Sequence, residues 1–307
     1  MSLDFDAATV DPLDRLLGVL DLAPGDVDRR EELRHRIDSL WHGTSVPAPS
    51  GTRIYGGQVL AQALLAAGRT VAADRLPHSL HGYFLRPGTT ERPVDFAVEH
   101  LHDGRSFSAR RVHAVQNGQP ILSISASFQE HQPGYSHAYP MPDNVMAPAS
   151  ATSAYEALAE IEDHPEARWW AADSAFELAH TSHPLFLGPD PERSDRQLVW
   201  VRARHHIDSD DMLLHRALLA FACDQLMLEP AVRAAGYSWL DLGDKVKIAS
   251  LDHAMWWHHN ARVDDWLLFV QDAPAAQGGR ALGQARVYSR DGLLVASIAQ
   301  EAMLRLP

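Results

Sequence analysis

Residues 291–304 read DGLLVASIAQEAML, and this stretch decides how the rest of the chain is interpreted. Asp291-Gly292 is typical of a two-residue hairpin turn, and the residues after it alternate as in a β-strand. One face of that strand holds Gln300 among apolar residues, namely Leu294, Ala296, Ile298, Ala302 and Leu304. Because burying an unpaired amide costs about 1–3 kcal/mol, Gln300 needs a reason beyond packing.

The first half of the chain contains a similar hairpin and strand. Asn117-Gly118 lies 174 residues before the Asp-Gly turn (291 − 117), and a strand over 120–130 follows it. At the same offset (300 − 174), Gln300 corresponds to Ala126, which shares its face with apolar residues. The fold itself therefore does not require a glutamine at this position.

Both halves follow the same order of helix and strands. Apolar helices are predicted at 56–71 and 213–228, and a helix that is apolar nearly all round is a buried one. Strands follow them, predicted at 78–86, 94–102, 107–116 and 120–130 in the first half and at 250–259, 266–271, 280–290 and 294–304 in the second. One helix followed by antiparallel strands, twice, indicates an α+β protein made of two copies of one unit.

Two histidines support the same repeat. His81 in SLHGYF and His253 in SLDHAMW lie 172 residues apart (253 − 81). The spacing predicts that they occupy equivalent positions in the two halves. We interpret both as structural residues.

The remaining segments predict the domain organisation. Residues 11–20 carry leucines at helical spacing and predict a short amphipathic helix. Prolines are frequent over 131–149, which predicts a linker. We therefore expect an N-terminal helix and first domain over 1–132, a linker region over 133–194, and a second domain over 195–307.

Composition and charge limit the classes of function. The chain has 307 residues and a formal net charge of −13, which argues against a nucleic-acid-binding surface. Its only cysteine is Cys223, so an intrachain disulfide is impossible, as in proteins of reducing compartments. The acidic start of the sequence lacks the apolar region of a secretory signal, and no apolar run approaches the roughly 18–20 residues of a membrane span. These features predict a soluble cytoplasmic protein.

Several long motifs in both halves resemble one family. They are GGQVLAQAL (56–64), HSLHGYFLRPG (78–88), DGRSFSARRVHAVQNGQPI (103–121), SASFQ (125–129), LDHAMWWH (251–258) and DGLLVASIAQEAMLR (291–305). Together they resemble the acyl-CoA thioesterase II family over roughly residues 50 to 140 and 195 to 307. The resemblance implies two tandem hotdog domains in one chain, each a long apolar helix wrapped by an antiparallel sheet. It also implies hydrolysis of acyl-CoA thioesters without a covalent intermediate.

The resemblance implies three catalytic residues that hold and activate a water molecule. They are Asp224 in FACDQL, Ser250 in IASLDH, where the family usually has threonine, and Gln300 in SIAQEAM. Water attack on a thioester needs a base and hydrogen-bond donors, and these side chains provide both. The matching first-half positions hold Gln58, His78 and Ala126, none of them a carboxylate. We therefore expect one hydrolytic site per chain, in the second half.

Other chemistry-bearing residues favour simpler interpretations. The pairs His205-His206 and His258-His259 invite a metal site, but adjacent residues on a strand point to opposite faces. We expect no metal and no cofactor. Cys223 is interpreted as a small buried thiol. The sequence has neither a G-x-S-x-G elbow nor a Walker phosphate loop.

Three functions are weighed. The leading one is an acyl-CoA thioesterase acting on medium or long acyl chains. The second is a hotdog hydratase or dehydratase, which usually needs a His-Asp or His-Glu pair, and Asp224 has no evident histidine partner. The third is a non-catalytic acyl-CoA-binding or regulatory module, which would not need Asp224. The family resemblance also implies a homo-oligomer, either a dimer or a tetramer.

Overall fold

The first half of the chain folds a sheet around one apolar helix. The computed structural model describes residues 10–29, 37–47, 51–158 and 173–307. Helix α1 (Pro12–Leu20) begins after Asp11, whose carboxylate accepts a hydrogen bond from the Leu13 N–H at 2.8 Å. Helix α2 (Gly56–Gly68) is buried along nearly its whole length. The strands of this half are β1 (Ala23–Pro24), β2 (Ser39–Gly43), β3 (Arg75–Phe84), β4 (Val94–Asp103), β5 (Phe107–Gln116) and β6 (Gln119–Glu130).

The second half repeats this arrangement with an interrupted helix. Its helices are α3 (Ala154–Leu158), α4 (Met212–Cys223) and α5 (Glu229–Ala235). Its strands are β7 (Thr152–Ser153), β8 (Phe176–His180), β9 (Arg196–Ala203), β10 (Lys247–Ser250), β11 (Asp252–Trp257), β12 (Leu267–Gln277), β13 (Arg280–Ser289) and β14 (Leu294–Arg305). The segment 133–194, predicted to be a linker, thus supplies β7, α3 and β8. The domain boundaries remain a prediction.

The prediction of one continuous helix over 213–228 is wrong at its C-terminal end. Helix α4 ends at Cys223, and α5 begins at Glu229 after a turn over 224–228. Pro230 explains the interruption, since proline lacks an N–H and its ring clashes with the carbonyl four residues earlier. Asp224 consequently lies directly after the last residue of α4, at the C-terminal end of the helix.

The two halves share one strand order and join into one sheet. The order among the described strands is β1-β2-β4-β5-β6-β3-β11-β14-β13-β12-β9-β8-β7, with β10 also paired to β14, and every pair is antiparallel. The halves meet where β3 pairs with β11, and α2 packs against α4. This arrangement confirms the α+β double hotdog. Among the described residues, no helix has the length and apolar character needed to cross a membrane.

The strand register corrects the predicted equivalence of His81 and His253. His81 lies opposite Ser125 in the β3–β6 pair, and Ala254 lies opposite Ala299 in the β11–β14 pair. Positions 125 and 299 are equivalent at the offset of 174 (299 − 125). His81 therefore corresponds to Ala254, and the predicted pairing is wrong by one residue, which reverses the face of a strand.

The corrected register gives new first-half counterparts for two second-half residues. His253 corresponds to Leu80, and both side chains are buried, whereas His81 is exposed. Ser250 lies opposite Ala302, and Pro77 lies opposite Phe128. Since Ala302 and Phe128 are equivalent at the offset of 174 (302 − 128), Ser250 corresponds to Pro77 and not to the predicted His78. Leu80 pairs with residue 126, the counterpart of Gln300.

The two hairpin predictions have different outcomes. Asn117 and Gly118 both have positive φ, 51° and 67°, and form the predicted two-residue turn. The second hairpin is longer than predicted, because β13 ends at Ser289 and β14 begins at Leu294. Its Gly292 has φ 90°, and the Ser289 N–H donates to the Leu293 carbonyl at 2.9 Å. A type I turn followed by a left-handed glycine fits this loop.

Candidate active site

The structure brings the three predicted residues into direct contact. Asp224 lies at the end of α4, Ser250 at the end of β10 and Gln300 on the central strand β14. The Ser250 hydroxyl donates to Asp224 Oδ1 at 3.0 Å. Gln300 Nε2 donates to Asp224 Oδ1 at 2.8 Å and to Ser250 Oγ at 2.9 Å. A helix end and two strands thus form a cluster of a carboxylate, a hydroxyl and an amide.

The chemistry of these groups fixes the orientation of the Gln300 amide. A carboxylate accepts hydrogen bonds, so the amide nitrogen has to face Asp224. Both amide hydrogens are then used, one on Asp224 and one on Ser250. Gln300 is fully buried, whereas Asp224 and Ser250 line a pocket. Gln300 therefore lies behind the other two residues, and its hydrogen bonds hold them in place.

The second carboxylate oxygen of Asp224 faces the start of helix α2. A Cβ atom added to Gly56 would lie 2.8 Å from Asp224 Oδ2 and 2.9 Å from the Phe84 ring, so a larger residue there would displace these side chains. The helix ends are also tied together, since the Tyr55 hydroxyl donates to the Phe221 carbonyl at 2.7 Å. No side chain caps α2, and the first N–H groups of a helix lack partners within the helix. Oδ2 thus lies near a positive helix terminus and accepts no hydrogen bond from the described residues.

Both halves of the chain line the pocket in front of Asp224. Its volume is about 220 Å³. The second half contributes Asp224, Ala249 and Ser250. The first half contributes the other residues, Arg53, Ile54, Gly56, Val59, Phe84, Leu85, Arg86, Pro87, Gly88, Ile121 and Leu122. The candidate catalytic residues in the wall, Asp224 and Ser250, belong to the second half, but most of the wall belongs to the first half, which the sequence did not reveal.

The first-half counterpart Gln58 has a structural role. Its Oε1 accepts a hydrogen bond from the Val46 N–H at 3.0 Å, and its Nε2 donates to the Thr44 carbonyl at 3.3 Å. Gln58 is fully buried and ties the loop before α2 to the helix. The other two first-half positions give no carboxylate either, since Pro77 and Ala126 take the places of Ser250 and Gln300.

A histidine that we interpreted as merely structural lies directly behind the cluster. His253 Nδ1 is 2.6 Å from Gln300 Oε1, and the imidazole is buried. Burial lowers the pKa of His253, although the contact with Gln300 acts in the opposite direction. Only the strand register reveals this contact, because it places His253 beside Gln300.

A buried polar network supports the turn that carries Asp224. Glu229 accepts from Gln197 Nε2 at 2.8 Å and lies 3.2 Å from His180 Nε2. Gln197 also donates to Gln271 at 2.8 Å, and Gln271 Nε2 donates to the Leu226 carbonyl at 3.0 Å. The network therefore reaches the backbone two residues after Asp224 and fixes the turn over 224–228.

We expect Glu229→Ala to lower the free energy of unfolding by about 3–5 kcal/mol, because removing one partner of a buried pair leaves the other uncompensated. Burial alone would raise the pKa of Glu229, but His180 and Arg233 outweigh it and hold that pKa below its usual value. The stabilisation is therefore fully present above about pH 4.3, the pKa of an unfolded glutamate, and is lost as the pH falls through the folded pKa. Urea denaturation between pH 7 and pH 3 measures both effects.

A control separates this effect from that of an exposed ion pair. Glu301 and Arg280 form such a pair at 2.9 Å, with side chains 39% and 53% exposed. Glu301→Ala should cost less than about 1 kcal/mol. A similar loss of stability in the two variants would contradict the role given to the buried network.

The histidine pairs and the cysteine have ordinary structural contacts. His206 Nδ1 lies 2.9 Å from Asp264 Oδ2, and His258 Nε2 lies 3.0 Å from Ser297 Oγ. His205 makes surface contacts with Asp11 and Asp14. Within each pair, the two rings contact different groups, and His259 Nδ1 lies 2.9 Å from the Leu294 carbonyl. Burial and the charge of Asp224 raise the pKa of the Cys223 thiol, which disfavours a nucleophilic thiolate.

Two family profiles match the chain. The profile described as "Acyl-CoA thioesterase N-terminal domain" matches residues 44–129. The profile described as "Acyl-CoA thioesterase C-terminal domain" matches residues 153–304. The second match begins inside the segment predicted as a linker and includes β8.

Related proteins match over most of the chain. A mouse protein named acyl-coenzyme A thioesterase 8 is 35% identical over 302 residues, covering 94% of this chain and 88% of the mouse chain. Acyl-CoA thioesterase 2 of Haemophilus influenzae is 34% identical, covering 82% of this chain and 88% of its own. The crystal structure of an acyl-CoA thioesterase II from Mycobacterium marinum is 34% identical with a TM-score of 0.71, covering 95% and 98% of the two chains. The chain therefore belongs to the acyl-CoA thioesterase II family.

Proposed function

We propose that this protein hydrolyses acyl-CoA thioesters to a free carboxylic acid and CoA, through direct attack of water. The observation that carries the proposal is the Asp224–Ser250–Gln300 cluster at the wall of a pocket. A carboxylate with one oxygen fixed and the other open to a pocket is suited to act as a general base. The names of the related proteins, acyl-CoA thioesterases, support hydrolysis of the thioester.

Asp224 Oδ2 is the proposed base. It takes a proton from water while the water oxygen forms a bond to the thioester carbonyl carbon. The tetrahedral intermediate then collapses, the C–S bond breaks, and the proton is returned to the CoA sulfur. The N–H groups of Gly56 and Gly57 at the start of α2, which find no acceptor among the described residues, are the proposed donors to the oxyanion, since they are fixed in place before the charge develops.

The hydrogen bonds of Ser250 tie it to both other residues of the cluster. Its oxygen accepts from Gln300 and its hydrogen is donated to Asp224. We therefore assign Ser250 to holding the carboxylate and one side of the water site. Cys223, whose thiol is buried, is not exposed to the pocket.

Two arginines at the pocket suit the phosphates of CoA. Arg53 and Arg86 line the pocket and are exposed. Neither forms a salt bridge within the described part of the chain, although the net charge is −13. Unneutralised guanidinium groups beside the site of chemistry are well placed to bind phosphate groups.

We expect the double variant Arg53→Glu/Arg86→Glu to raise KM for acyl-CoA by roughly tenfold with little change in kcat, because two exposed ion pairs contribute about 0.2–1 kcal/mol each. Steady-state kinetics at low and high salt measure the effect, which should weaken as salt increases. Arg105→Glu, at an exposed loop away from the pocket, is the matched control. The KM for an acyl-N-acetylcysteamine thioester, which has no phosphate, should not change; an equal rise there would contradict phosphate binding.

The histidine–carboxylate pair that a hydratase would need is present, but it lies away from the pocket. His180 and Glu229 form such a pair, but both side chains are fully buried. Neither is among the residues that line the pocket. Their role in the network around the turn explains the pair, so hydration of an acyl thioester is less well supported than hydrolysis.

Release of free thiol from a series of acyl-CoAs tests the proposed function. The purified protein should release CoA at rates that vary with acyl length, and the apolar walls of the pocket favour medium or long chains. Acyl-CoA binding without thiol release would instead support the non-catalytic module. Assembly into dimers or tetramers and a cytoplasmic location remain predictions.

A further inference from the structure

His253 and Gln300 form a polar pair inside an otherwise apolar layer. The distance from His253 Nδ1 to Gln300 Oε1 is 2.6 Å, and both side chains are buried. In the first half, the equivalent positions on the paired strands hold Leu80 and Ala126. An apolar pair therefore satisfies the packing of this layer, and the histidine–glutamine pair needs a different explanation.

The direction of the hydrogen bonds follows from the charge of Asp224. Since both hydrogens of the Gln300 amide are donated to Asp224 and Ser250, Gln300 Oε1 is left as an acceptor. His253 Nδ1 must then carry the hydrogen. Its Nε2 is buried without a hydrogen-bond partner among the described residues. A neutral ring protonated only on Nδ1 leaves no buried N–H unsatisfied, and the lowered pKa of this histidine agrees with a neutral ring.

We propose that His253 is a positioning residue that prevents rotation of the Gln300 amide. A rotated amide would place its oxygen against the Asp224 carboxylate and remove both donors from the cluster. The Nδ1–H of His253 donates to Oε1 and favours the productive orientation. His253 thus acts on the water site through Gln300 and Asp224, an inference that rests on the proposed hydrolytic function.

Substitutions copied from the first half separate positioning from packing. His253→Leu introduces the residue that the first half has at the equivalent position, Leu80. The layer then stays apolar, as it is in the first half. We expect kcat to fall by roughly 10- to 100-fold, with KM nearly unchanged, because a misplaced catalytic group loses rate rather than binding. His253→Asn can donate from its amide near the same position and should restore most of kcat. His81→Asn, on the exposed face of the neighbouring strand, should have no effect.

A double-mutant cycle tests whether the effect passes through Gln300. In a Gln300→Ala background, His253→Leu should lower kcat little further. A full additional loss would overturn the proposal, as would an unchanged kcat in His253→Leu or a failure of His253→Asn to exceed His253→Leu.

A measurement without turnover keeps this inference separate from the proposed function. ¹⁵N NMR of histidine-labelled protein should show His253 as the neutral Nδ1–H form, and Gln300→Ala should change its signal. If the wild type releases no thiol but this signature is present, the hydrolytic function fails while the amide contact stands. A protonated or Nε2–H ring in the wild type would overturn the contact itself.

Discussion

Asp224→Asn is expected to lower kcat for acyl-CoA hydrolysis by about 10²- to 10⁴-fold, the range that general-base catalysis contributes. The asparagine oxygen can still accept from Ser250 and Gln300, so the cluster keeps its shape. What is lost is the ability to take a proton from water. Thiol release under saturating acyl-CoA measures the effect, and circular dichroism and thermal unfolding verify that the fold is retained.

The binding of substrate separates loss of chemistry from loss of the pocket. Asp224→Asn should bind acyl-CoA about as well as the wild type, because the asparagine is close in size to the aspartate and the first-half walls are unchanged. Asp244→Asn, at an exposed position in the same half, is the matched control and should be fully active. Equal turnover in Asp224→Asn and the wild type would remove Asp224 as the base.

Local signals predicted the helices and strands because they act over a few residues. The turn at Asn117-Gly118 has the positive φ values that its sequence favours, and the apolar helix α2 is buried as its composition indicates. The predicted helix over 213–228 extends too far because its apolar pattern outweighs a second local signal, the proline that follows it. Pro230 ends the possibility of a helix through 224–228, although the apolar run continues across it.

The assembly of the candidate site depends on contacts that local sequence does not encode. Ser250 is 26 residues from Asp224, and Gln300 is 50 residues from Ser250, so only the folded sheet brings them together. Their roles came from the family resemblance. Strand register decides the rest, because a shift of one residue reverses the face of a side chain. Motif spacing pairs His253 with His81, whereas the strand register pairs it with Leu80.

Each half of the chain supplies a different part of the candidate site. The polar cluster lies in the second half, and the helix terminus and most of the pocket wall lie in the first. The equivalent positions in the first half hold no carboxylate, and Gln58 is hydrogen-bonded to the loop at Thr44 and Val46. A pair of glutamine variants therefore tests whether the chain has one hydrolytic site.

Gln300→Ala is expected to lower kcat by about 10²-fold, the loss that follows a misplacement of about 1 Å in a catalytic group. The variant removes one of the two hydrogen bonds to Asp224 Oδ1, the hydrogen bond to Ser250, and the acceptor of His253. The carboxylate is then free to rotate, so the loss should be in kcat with a small change in KM. Kinetics normalised to the folded fraction provide the measurement.

Gln58→Ala should lower the stability of the fold but should change kcat little. It removes the buried Gln58 amide and leaves the half-buried Val46 N–H without its acceptor, which should cost about 1–3 kcal/mol of unfolding free energy. Its effect on kcat should be far smaller than that of Gln300→Ala, because Gln58 makes no hydrogen bond to Asp224 or Ser250 in the described structure. Comparable losses of kcat in the two variants would show that both halves supply polar groups to the reaction, and the assignment of the chemistry to the second half would then be wrong.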